Sequence, residues 1–596
     1  MATTTDTAGT VDSSSASTET REANSPNSRV ASDRQLLQTA QAEGRTLGAY
    51  VRLSGPGWLQ SAITLGGGSL AGGLFLGTLG GVSLLWLQLV AIVFGVVMLS
   101  AISYVTLSTG RRPFEAINTE INPALGWGWL IATAMANVIW CMPQFSLCYD
   151  ALDNNLFTIG GRSGLGDSNS MKWTVTAGLL VAAAFVVLLK VKEGAAAKWF
   201  DRFLKALIGM VVICFFGVTI LLIRNGQVDF GAVFAGLIPD LSQWARPAGD
   251  LRDLVGQMSP DASSFWSEKI MTNQRTVMIA AAATAVGINM TFLLPYSMLA
   301  RGWDKPFRGL ARFDLSTGMA IPYVIVTSCV VIAAAASFHA SADEAFLSPD
   351  PATFRTSALF DGAAPAIADR LGIEVDQDDR GNLVWTADQI ASVAAVSADE
   401  KRVAASLVKR NAFQLSQTLS PLLGETGSKL IFGLGVFGMG FSTIIILMLI
   451  NGYAFREMLH QPQGNVPFVL GVLTAGVCGA MWVVLWGGKA KFWLAIFAST
   501  FGMMLLPIAY VTFFLMMNSR RILGDEMPTG ASRLGWNLMM GAAVIGAIAA
   551  AATAIYDKAM DKANPEAFTI VISLLVVYGA LVAVGFFRRR TGTATA

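Results

Sequence analysis

Residues 55–81 decide the fold, and they read GPGWLQSAITLGGGSLAGGLFLGTLGG. The stretch is apolar over more than the roughly 20 residues that a helix needs to cross a lipid bilayer. Its middle holds Gly66, Gly67, Gly68 and Ser69 in a row. Each glycine lowers helix stability by about 1 kcal/mol relative to alanine, and it also lets the backbone turn its N–H and C=O groups toward a ligand. The stretch therefore predicts a membrane-spanning helix that is broken near its middle.

The composition of the whole chain is typical of a membrane protein. Of 596 residues, 53% are hydrophobic and only 14% are charged, with a mean hydropathy of +0.54, whereas soluble domains carry about 25% charged residues. The formal net charge of +2 gives no reason to expect nucleic acid as a partner. Five cysteines, all within apolar stretches, and two histidines do not indicate a disulfide framework or a metal centre, and no cofactor is expected. The sequence predicts an all-α polytopic membrane protein.

Twelve stretches are long and apolar enough to be membrane-spanning helices. The run from Gly55 to Ser108 is about twice the length that one span needs, so it is divided at Gly80–Gly81. The predicted spans lie near residues 55–80, 83–108, 124–149, 171–190, 203–223, 276–300, 315–338, 428–454, 467–487, 491–517, 533–556 and 568–587.

The basic residues of the connections indicate an orientation. With the amino terminus in the cytoplasm, the cytoplasmic connections and the tail hold seventeen Lys and Arg side chains, against six in the short external connections. Cytoplasmic connections of membrane proteins carry such an excess of basic residues. We therefore expect a multi-pass protein of the plasma (inner) membrane with both termini in the cytoplasm.

The sixth predicted span carries a second interruption, Gly287-Ile288-Asn289-Met290-Thr291. It begins eleven residues after residue 276, and the first break begins eleven residues after Gly55. Transporters often bind their cargo where two helices are broken at equivalent places in two halves of the chain. The pattern therefore predicts two halves whose leading helices are unwound at Gly66–Ser69 and at Gly287–Thr291, with the two breaks facing each other near the midplane. The alternative is that the glycines only allow close helix packing, and that Asn289 and Thr291 only join helices by hydrogen bonds.

These patterns give a domain organisation. Residues 1–50 are expected to form a disordered cytoplasmic tail, because their first part is rich in Ser, Thr and Ala and holds almost no large apolar residue. The remaining parts are a first five-helix repeat over 51–224, an external loop over 225–275, a second five-helix repeat over 276–517 with an external insertion over 339–427, and two additional helices with a basic cytoplasmic tail over 518–596.

Five motifs lie in the same order as in a known family. Gly55-Pro56-Gly57-Trp58-Leu59 and Ser83-Leu84-Leu85-Trp86 resemble the first and second spans of the NRAMP family of divalent metal transporters. Ser420-Pro421-Leu422-Leu423-Gly424 is similar to the approach to the eighth span, while Leu505-Leu506-Pro507 and Asn518-Ser519-Arg520-Arg521-Ile522-Leu523-Gly524 are similar to the tenth span and its end. The resemblance implies a LeuT-like inverted five-plus-five helix repeat, followed here by two extra helices.

The metal-binding motifs of that family are missing. Its Asp-Pro-Gly-Asn aligns with the glycine run ending at Ser69, and its Met-Pro-His aligns with Asn289-Met290-Thr291. Met290 is offset by one residue from the family's ligating methionine, which turns it by about 100° on a helix. The family's acidic residue of the third span, linked to proton movement, falls near Gln144, which does not ionise. The resemblance therefore implies the scaffold with an altered substrate site.

We expect the substrate site at the two breaks. A divalent cation needs oxygen, nitrogen or sulfur ligands and compensating negative charge, and no candidate is charged. The candidate metal ligands are Ser69, Asn289 and the backbone carbonyls near Gly66 and Gly287. The candidate substrate-binding residues together are Gly66, Gly67, Gly68, Ser69, Gln144, Gly287, Asn289, Met290 and Thr291.

Other polar residues of the spans have structural explanations. Asp150, Asp201 and Asp314 lie near span ends and are expected to be interface residues or helix caps. Ser442 and Thr443 are expected to form hydrogen bonds to backbone carbonyls, with a position along the substrate pathway as the alternative.

Three functions fit these observations. The leading prediction is a secondary transporter that moves a divalent metal cation by alternating access, with membrane lipids and the cation as partners and proton or ion coupling left open. The second is a transporter of a small organic solute that bears a carboxylate, because half-helix amino termini favour anions. The third is a membrane receptor or scaffold that does not transport. No nucleophile–base pair or metal-ligand cluster lies in the spans, so no enzymatic activity is predicted.

Overall fold

The computed structural model describes residues 26–191, 195–377, 383–485, 493–559 and 566–592. The only strands among these residues are β1 Asp376–Gln377 and β2 Leu383–Val384, which pair antiparallel. The helices up to the end of the second broken span are, in order, α1 Pro26–Ala42, α2 Thr46–Leu53, α3 Pro56–Thr64, α4 Gly67–Gly80, α5 Leu85–Thr109, α6 Pro113–Ala116, α7 Pro123–Ala151, α8 Asn169–Val191, α9 Ala195–Arg224, α10 Phe230–Gly236, α11 Leu251–Gly256, α12 Pro260–Ala285 and α13 Ile288–Ala300.

The second part of the chain is equally helical. Its helices are α14 Arg308–Leu315, α15 Ile321–Phe338, α16 Glu344–Leu347, α17 Pro351–Thr356, α18 Phe360–Leu371, α19 Ala387–Ala394, α20 Ala398–Ser406, α21 Ala412–Thr418, α22 Ser420–Leu423, α23 Glu425–Met458, α24 Asn465–Ala480, α25 Trp482–Leu485, α26 Trp493–Met517, α27 Arg520–Leu523, α28 Gly530–Ala559 and α29 Glu566–Gly592. Short 3₁₀ or π segments lie at Ile117–Ile121, Leu152–Leu156, Leu241–Trp244, Lys305–Phe307, Ser316–Ala320 and Gly524–Glu526.

Eight of the described helices are long and apolar enough to cross a membrane, or ten if each of two bent helix pairs counts as one span. The bent pairs are α3 with α4, at 53°, and Gly502–Met517 with Arg520–Glu526, at 63°. Twelve spans were expected. The stretch 276–300 contains the end of α12 and the shorter apolar helix Ile288–Ala300, and the stretch 568–587 contains the shorter apolar helix Ile572–Arg588. The chain is a multi-pass integral membrane protein of the all-α class, as the sequence predicts.

Close contact between glycine and its neighbours holds the bundle together. A Cβ atom on Gly77 of α4 would lie 2.4 Å from the carbonyl oxygen of Val331 in α15. A Cβ atom on Gly440 of α23 would lie 2.7 Å from the sulfur of Cys148 in α7. A larger residue would not fit at either position. Small residues let membrane helices approach closely, and the resulting dispersion contacts stabilise the bundle. The long helix α23 lies at the centre of the bundle and packs against α7, α9 and α24.

The amino-terminal region differs from its prediction. Disorder was expected over residues 1–50, but α1 and α2 are helical and pack on the bundle. Leu37 is fully buried, Arg34 forms an ion pair with Asp304, and Val30 lies against Gly302. The prediction of disorder is wrong for residues 26–50, because a few apolar side chains and one ion pair suffice when a folded surface is available. Residues 1–25 lie outside the described part of the chain.

Residues 339–377 and 383–427 form a mainly helical domain on one side of the bundle, which we call the insertion side. Phe346, Phe354 and Phe360 form its buried core. The same core contains Trp266 of α12, whose indole N–H donates to a carboxylate oxygen of Glu400 at 2.8 Å. This packing extends α12 back to Pro260. The predicted external loop over 225–275 is therefore too long, since its residues from Pro260 onward belong to α12, the first helix of the sixth span.

Candidate functional site

The first broken span turns at Leu65 and Gly66. Helix α3 ends at Thr64 and α4 begins at Gly67, so Gly67, Gly68 and Ser69 form the first turn of α4 rather than an unwound segment. This corrects the expectation that residues 66–69 are unwound. Glycine is tolerated there because the first backbone N–H groups of a helix have no partner within the helix. The Ser69 hydroxyl donates to the Thr64 carbonyl and so closes the break with a short hydrogen bond.

Hydroxyl groups of α23 satisfy the end of α3. The carbonyl of Ala62 accepts hydrogen bonds from Ser442 Oγ at 3.0 Å and from Thr443 Oγ1 at 3.1 Å. The Gly66 carbonyl accepts from the N–H of Leu70 at 3.2 Å. A Cβ atom on Gly66 would lie 2.6 Å from Thr443 Oγ1. The expected carbonyl bonds of Ser442 and Thr443 are therefore present, and Gly66 is also a packing glycine.

Gln144 of α7 lies at the beginning of α4. Its side-chain oxygen accepts a hydrogen bond from the Gly67 N–H at 2.9 Å, and Gln144 is almost fully buried. An amide oxygen here compensates the partial positive charge of a helix amino terminus. Gln144 thus occupies a position where a bound anion would otherwise be favoured.

The second broken span turns at Val286 and Gly287. Helix α12 ends at Ala285 and α13 begins at Ile288, so Asn289, Met290 and Thr291 form the first turn of α13, contrary to the expectation that they are unwound. Asn289 faces α7, because its side-chain N–H donates to Asn137 Oδ1 at 3.1 Å. Its own oxygen accepts from the Met290 N–H at 2.9 Å, within the first turn of α13.

Thr291 and Gly287 are held by two tryptophans of α7. The indole N–H of Trp129 donates to Thr291 Oγ1 at 2.9 Å, and the Thr291 hydroxyl donates to the carbonyl of Ile288. A Cβ atom on Gly287 would lie 2.2 Å from the ring of Trp140. The Gly287 carbonyl accepts from the Met290 N–H at 3.1 Å. Both candidate residues are therefore engaged by the protein itself.

Met290 brings the two breaks together. Its sulfur lies 3.5 Å from Thr64 Oγ1 in the first span and 3.4 Å from the Gly287 nitrogen. Its carbonyl accepts a hydrogen bond from Gln60 Nε2 of α3 at 3.1 Å. The one-residue offset does not turn Met290 away, because the turn at Val286–Gly287 redirects α13. Of the predicted candidates, Met290 has the side chain that reaches both broken spans.

Three polar residues at this junction were not predicted as site residues. Gln60 and Ser61 of α3 and Asn137 of α7 are fully buried. Within the described part of the chain, Gln60 Oε1, Ser61 Oγ and Asn137 Nδ2 have no hydrogen-bond partner. A buried polar atom without a partner costs about 1–3 kcal/mol. The signal in the sequence is a glutamine, a serine and an asparagine inside otherwise apolar spans.

Carboxylates lie at the end of the bundle opposite the insertion side, at the start of α3. Asp314 is buried and accepts from the N–H groups of Gly55, at 3.1 Å, and Gly57, at 2.7 Å. Asp201 pairs with Arg301 at 2.7 Å. These are the cap and interface roles expected from the sequence. No group of three or more His, Cys, Asp or Glu side chains that could hold a metal ion occurs in the described ranges.

Comparisons with known proteins agree with this architecture. The chain is similar to solved structures of the Eremococcus coleocola manganese transporter. One is a mutant (14% identity, TM-score 0.60, 91% of this chain and 96% of that chain covered), and another is a complex with an aromatic bis-isothiourea substituted compound (14% identity, TM-score 0.59, 92% and 96% covered). At this identity the likeness shows the fold, and it confirms the predicted scaffold. No curated protein sequence matches the chain significantly.

The sequence profile described as Nramp, natural resistance-associated macrophage protein-like, matches residues 57–367 and 387–557. The matched residues make up most of the chain. The chain therefore belongs to the NRAMP family.

Proposed function

We propose that the chain is a secondary transporter that carries a divalent metal cation by alternating access, with uncharged ligands in place of the carboxylate. The observation that carries the proposal is the junction of the two breaks. There the sulfur of Met290 and the unpartnered oxygens of Gln60 and Ser61 lie on broken spans that contact each other. An amide oxygen, a hydroxyl and a thioether are electron-pair donors suited to a cation.

The absence of charge among these ligands defines how the cation is held. Moving an ion into a low-dielectric interior without a counter-charge costs several kcal/mol. The carbonyl ends of α3 and α12 supply partial negative charge at the breaks. A cation that keeps part of its water shell needs fewer protein ligands, as magnesium often does. We therefore expect weak binding, with little preference for manganese over magnesium.

The same proposal includes an orientation and a membrane. The excess of basic residues in the predicted cytoplasmic connections supports cytoplasmic termini and an external insertion side in the plasma (inner) membrane.

A carboxylate-bearing solute remains the second candidate. The observation in its favour is the unpartnered donor Asn137 Nδ2 beside the start of α13. Against it, Gln144 already accepts the Gly67 N–H, and the Asn289 oxygen already accepts the Met290 N–H. Both half-helix amino termini therefore have a donor occupied by an oxygen of the protein itself.

Uptake into proteoliposomes tests the proposal. The purified chain should take up manganese and magnesium ions, and Gln60→Leu and Met290→Leu should each reduce uptake at least fivefold. Met539→Leu is the matched control, because Met539 lies exposed on α28. Uptake of small carboxylates without uptake of metal would favour the second candidate. No uptake of either would favour a receptor or scaffold.

A further inference from the structure

A groove of about 540 Å³ is lined by residues other than those that form the two breaks. Its walls come from α5, α12, α26 and α28, so one wall belongs to a helix outside the five-plus-five repeat. The lining is almost wholly apolar and includes Leu87, Phe94, Met278, Tyr510 and Ala547. A slot of this kind between membrane helices fits a hydrocarbon chain.

One end of the groove carries a cationic group. Leu241 and Trp244, in the 3₁₀ segment that follows α10, line this end and are exposed. The Nε–H of Arg275 donates to the Trp244 carbonyl at 2.8 Å. Arg275 precedes Met278 and Ile279 by one turn of α12, so the three residues share a helix face.

Arg275 carries a charge that no carboxylate in the described part of the chain compensates. Among the described residues, no carboxylate lies within salt-bridge distance of Arg275, whereas the neighbouring Arg246 is paired with Asp240 at 2.9 Å. A guanidinium binds phosphate oxygens through paired hydrogen bonds. An unpaired guanidinium above an apolar slot thus matches a molecule with a phosphate at one end and a hydrocarbon at the other.

We propose that this groove binds a membrane phospholipid, with an acyl chain between α5 and α28 and the phosphate at Arg275. The inference rests on the membrane location of the chain and not on the cargo. Met278 and Ile279 belong to the helix that ends at the second break, so the bound lipid braces the first half of the broken span against α26 and α28. This gives the extra helix α28 a role, as the wall that completes the lipid site.

Native mass spectrometry of the full chain in mild detergent, with phosphatidylglycerol added, tests the acyl-chain half of the proposal. Ala550→Trp fills the groove and should reduce lipid occupancy at least threefold. Ala542→Trp is the matched control, because Ala542 is exposed on the same helix and is not part of the lining. Equal occupancy in both variants would overturn the proposal.

The headgroup half needs its own variants. Arg275→Gln should lower occupancy severalfold, and Arg275→Lys should restore most of it, whereas Arg252→Gln at an exposed arginine should have no effect. Equal occupancy in Arg275→Gln and the unmodified chain would overturn the headgroup assignment. Displacement of the lipid by millimolar inorganic phosphate would indicate an anion site that does not hold an acyl chain. That result would overturn the proposal of a phospholipid site.

A measurement on the unmodified chain does not depend on any variant folding. Structure determination with a phospholipid brominated in its acyl chain should show bromine density between Phe94 and Ala547. A groove without such density at saturating lipid would contradict the proposal.

Discussion

The centre of the bundle and the start of α3 use polar groups in opposite ways. At the start of α3 the charged groups have partners, since Asp314 accepts two backbone N–H groups and Lys205 donates to the Ser54 carbonyl at 3.0 Å. At the centre no ionisable side chain takes part, but Gln60 and Ser61 each leave an oxygen without a partner among the described residues. In this comparison the charged groups lie where a helix is anchored, and the two neutral oxygens lie on a span that breaks.

The difference shows which signal marks a site in this chain. Paired buried charges lose desolvation energy that their interaction roughly returns, so they fix geometry more than they add stability. Unsatisfied neutral atoms lower stability with no structural gain, and such groups are rare in native proteins. In this protein the proposed site rests on the second feature and not on the presence of charge.

The largest expected effect comes from breaking the charged region. Asp314→Leu removes the acceptor of the Gly55 and Gly57 N–H groups and should lower the unfolding free energy by about 3 kcal/mol. Thermal unfolding in detergent measures this loss of stability as a fall in melting temperature. Asp525→Leu, at an exposed aspartate, is the control and should change little. Similar losses in the two variants would show that Asp314 does not anchor α3.

The architecture could be read from the sequence better than the site. The glycine run at 66–68 and the single Gly287 located the two breaks to within a few residues, because glycine is the residue that a sharp turn in a helix most needs. The extent of each break could not be read, since glycine also suits the first turn of a new helix. The start of α12 was placed too late because its polar first part packs, through Ala262, Trp266 and Ile270, on the distant insertion.

The orientation of individual side chains was beyond the sequence. Met290 was a candidate whose side chain would point about 100° away on a regular helix unless the break redirected it, and two residues of irregular backbone before α13 do turn its sulfur toward Thr64. Asn289 was a candidate ligand, yet its partner is Asn137 in another span. Which face a residue presents after a helix break depends on the packing of neighbouring helices, and a single sequence contains no direct record of that packing.

The next largest effect, a gain in manganese affinity, is expected from introducing a charged side chain at the centre of the bundle. Gly66→Asp, Ser69→Asn and Asn289→Met restore the residue types of the family, but a Cβ atom added at Gly66 would lie 2.6 Å from Thr443 Oγ1. Adding Thr443→Ala removes this closest contact and leaves the Ile63 carbonyl oxygen at 3.0 Å from the added Cβ. The fourfold variant should bind manganese about tenfold more tightly, or about 1.4 kcal/mol.

Calorimetry on the fourfold variant and on the variant that retains Thr443 separates charge from space. The variant that retains Thr443 should show a smaller gain. Micromolar manganese binding by the unmodified chain would show that uncharged ligands suffice and would contradict the expected gain.

A smaller effect, an increase in the unfolding free energy, should follow from Ser61→Ala. Removing a hydroxyl that has no partner in the described structure should raise the unfolding free energy by about 1 kcal/mol, while lowering metal uptake. Ser103→Ala is the control, because the Ser103 hydroxyl donates to the Leu99 carbonyl at 2.7 Å. A stability gain without any loss of uptake would mean that Ser61 is not part of the site.

The smallest expected effect concerns His339, a titratable group on the insertion side with a partner at each ring nitrogen. Its Nδ1 lies 3.0 Å from the Thr78 carbonyl, and its Nε2 accepts from the Asp250 N–H at 3.0 Å. Burial lowers the pKa of His339 below its usual 6.5, against the opposing effects of the Thr78 carbonyl and the nearby Asp250 carboxylate. The neutral ring suits this arrangement, because protonated Nε2 could no longer accept.

The sign of the pH dependence follows from that lowered pKa. The unfolded chain takes up a proton at this histidine before the folded chain does, so its stabilising contribution is complete above about pH 6.5 and is lost as the pH falls further. The melting temperature should therefore fall between about pH 7.5 and about pH 5.5, and less steeply in His339→Gln, whose amide can accept and donate without titrating. His460→Gln, at the other histidine of the chain, serves as control. An unchanged slope in His339→Gln would exclude His339 as the group responsible, and the anchoring of the insertion side would then not depend on its protonation.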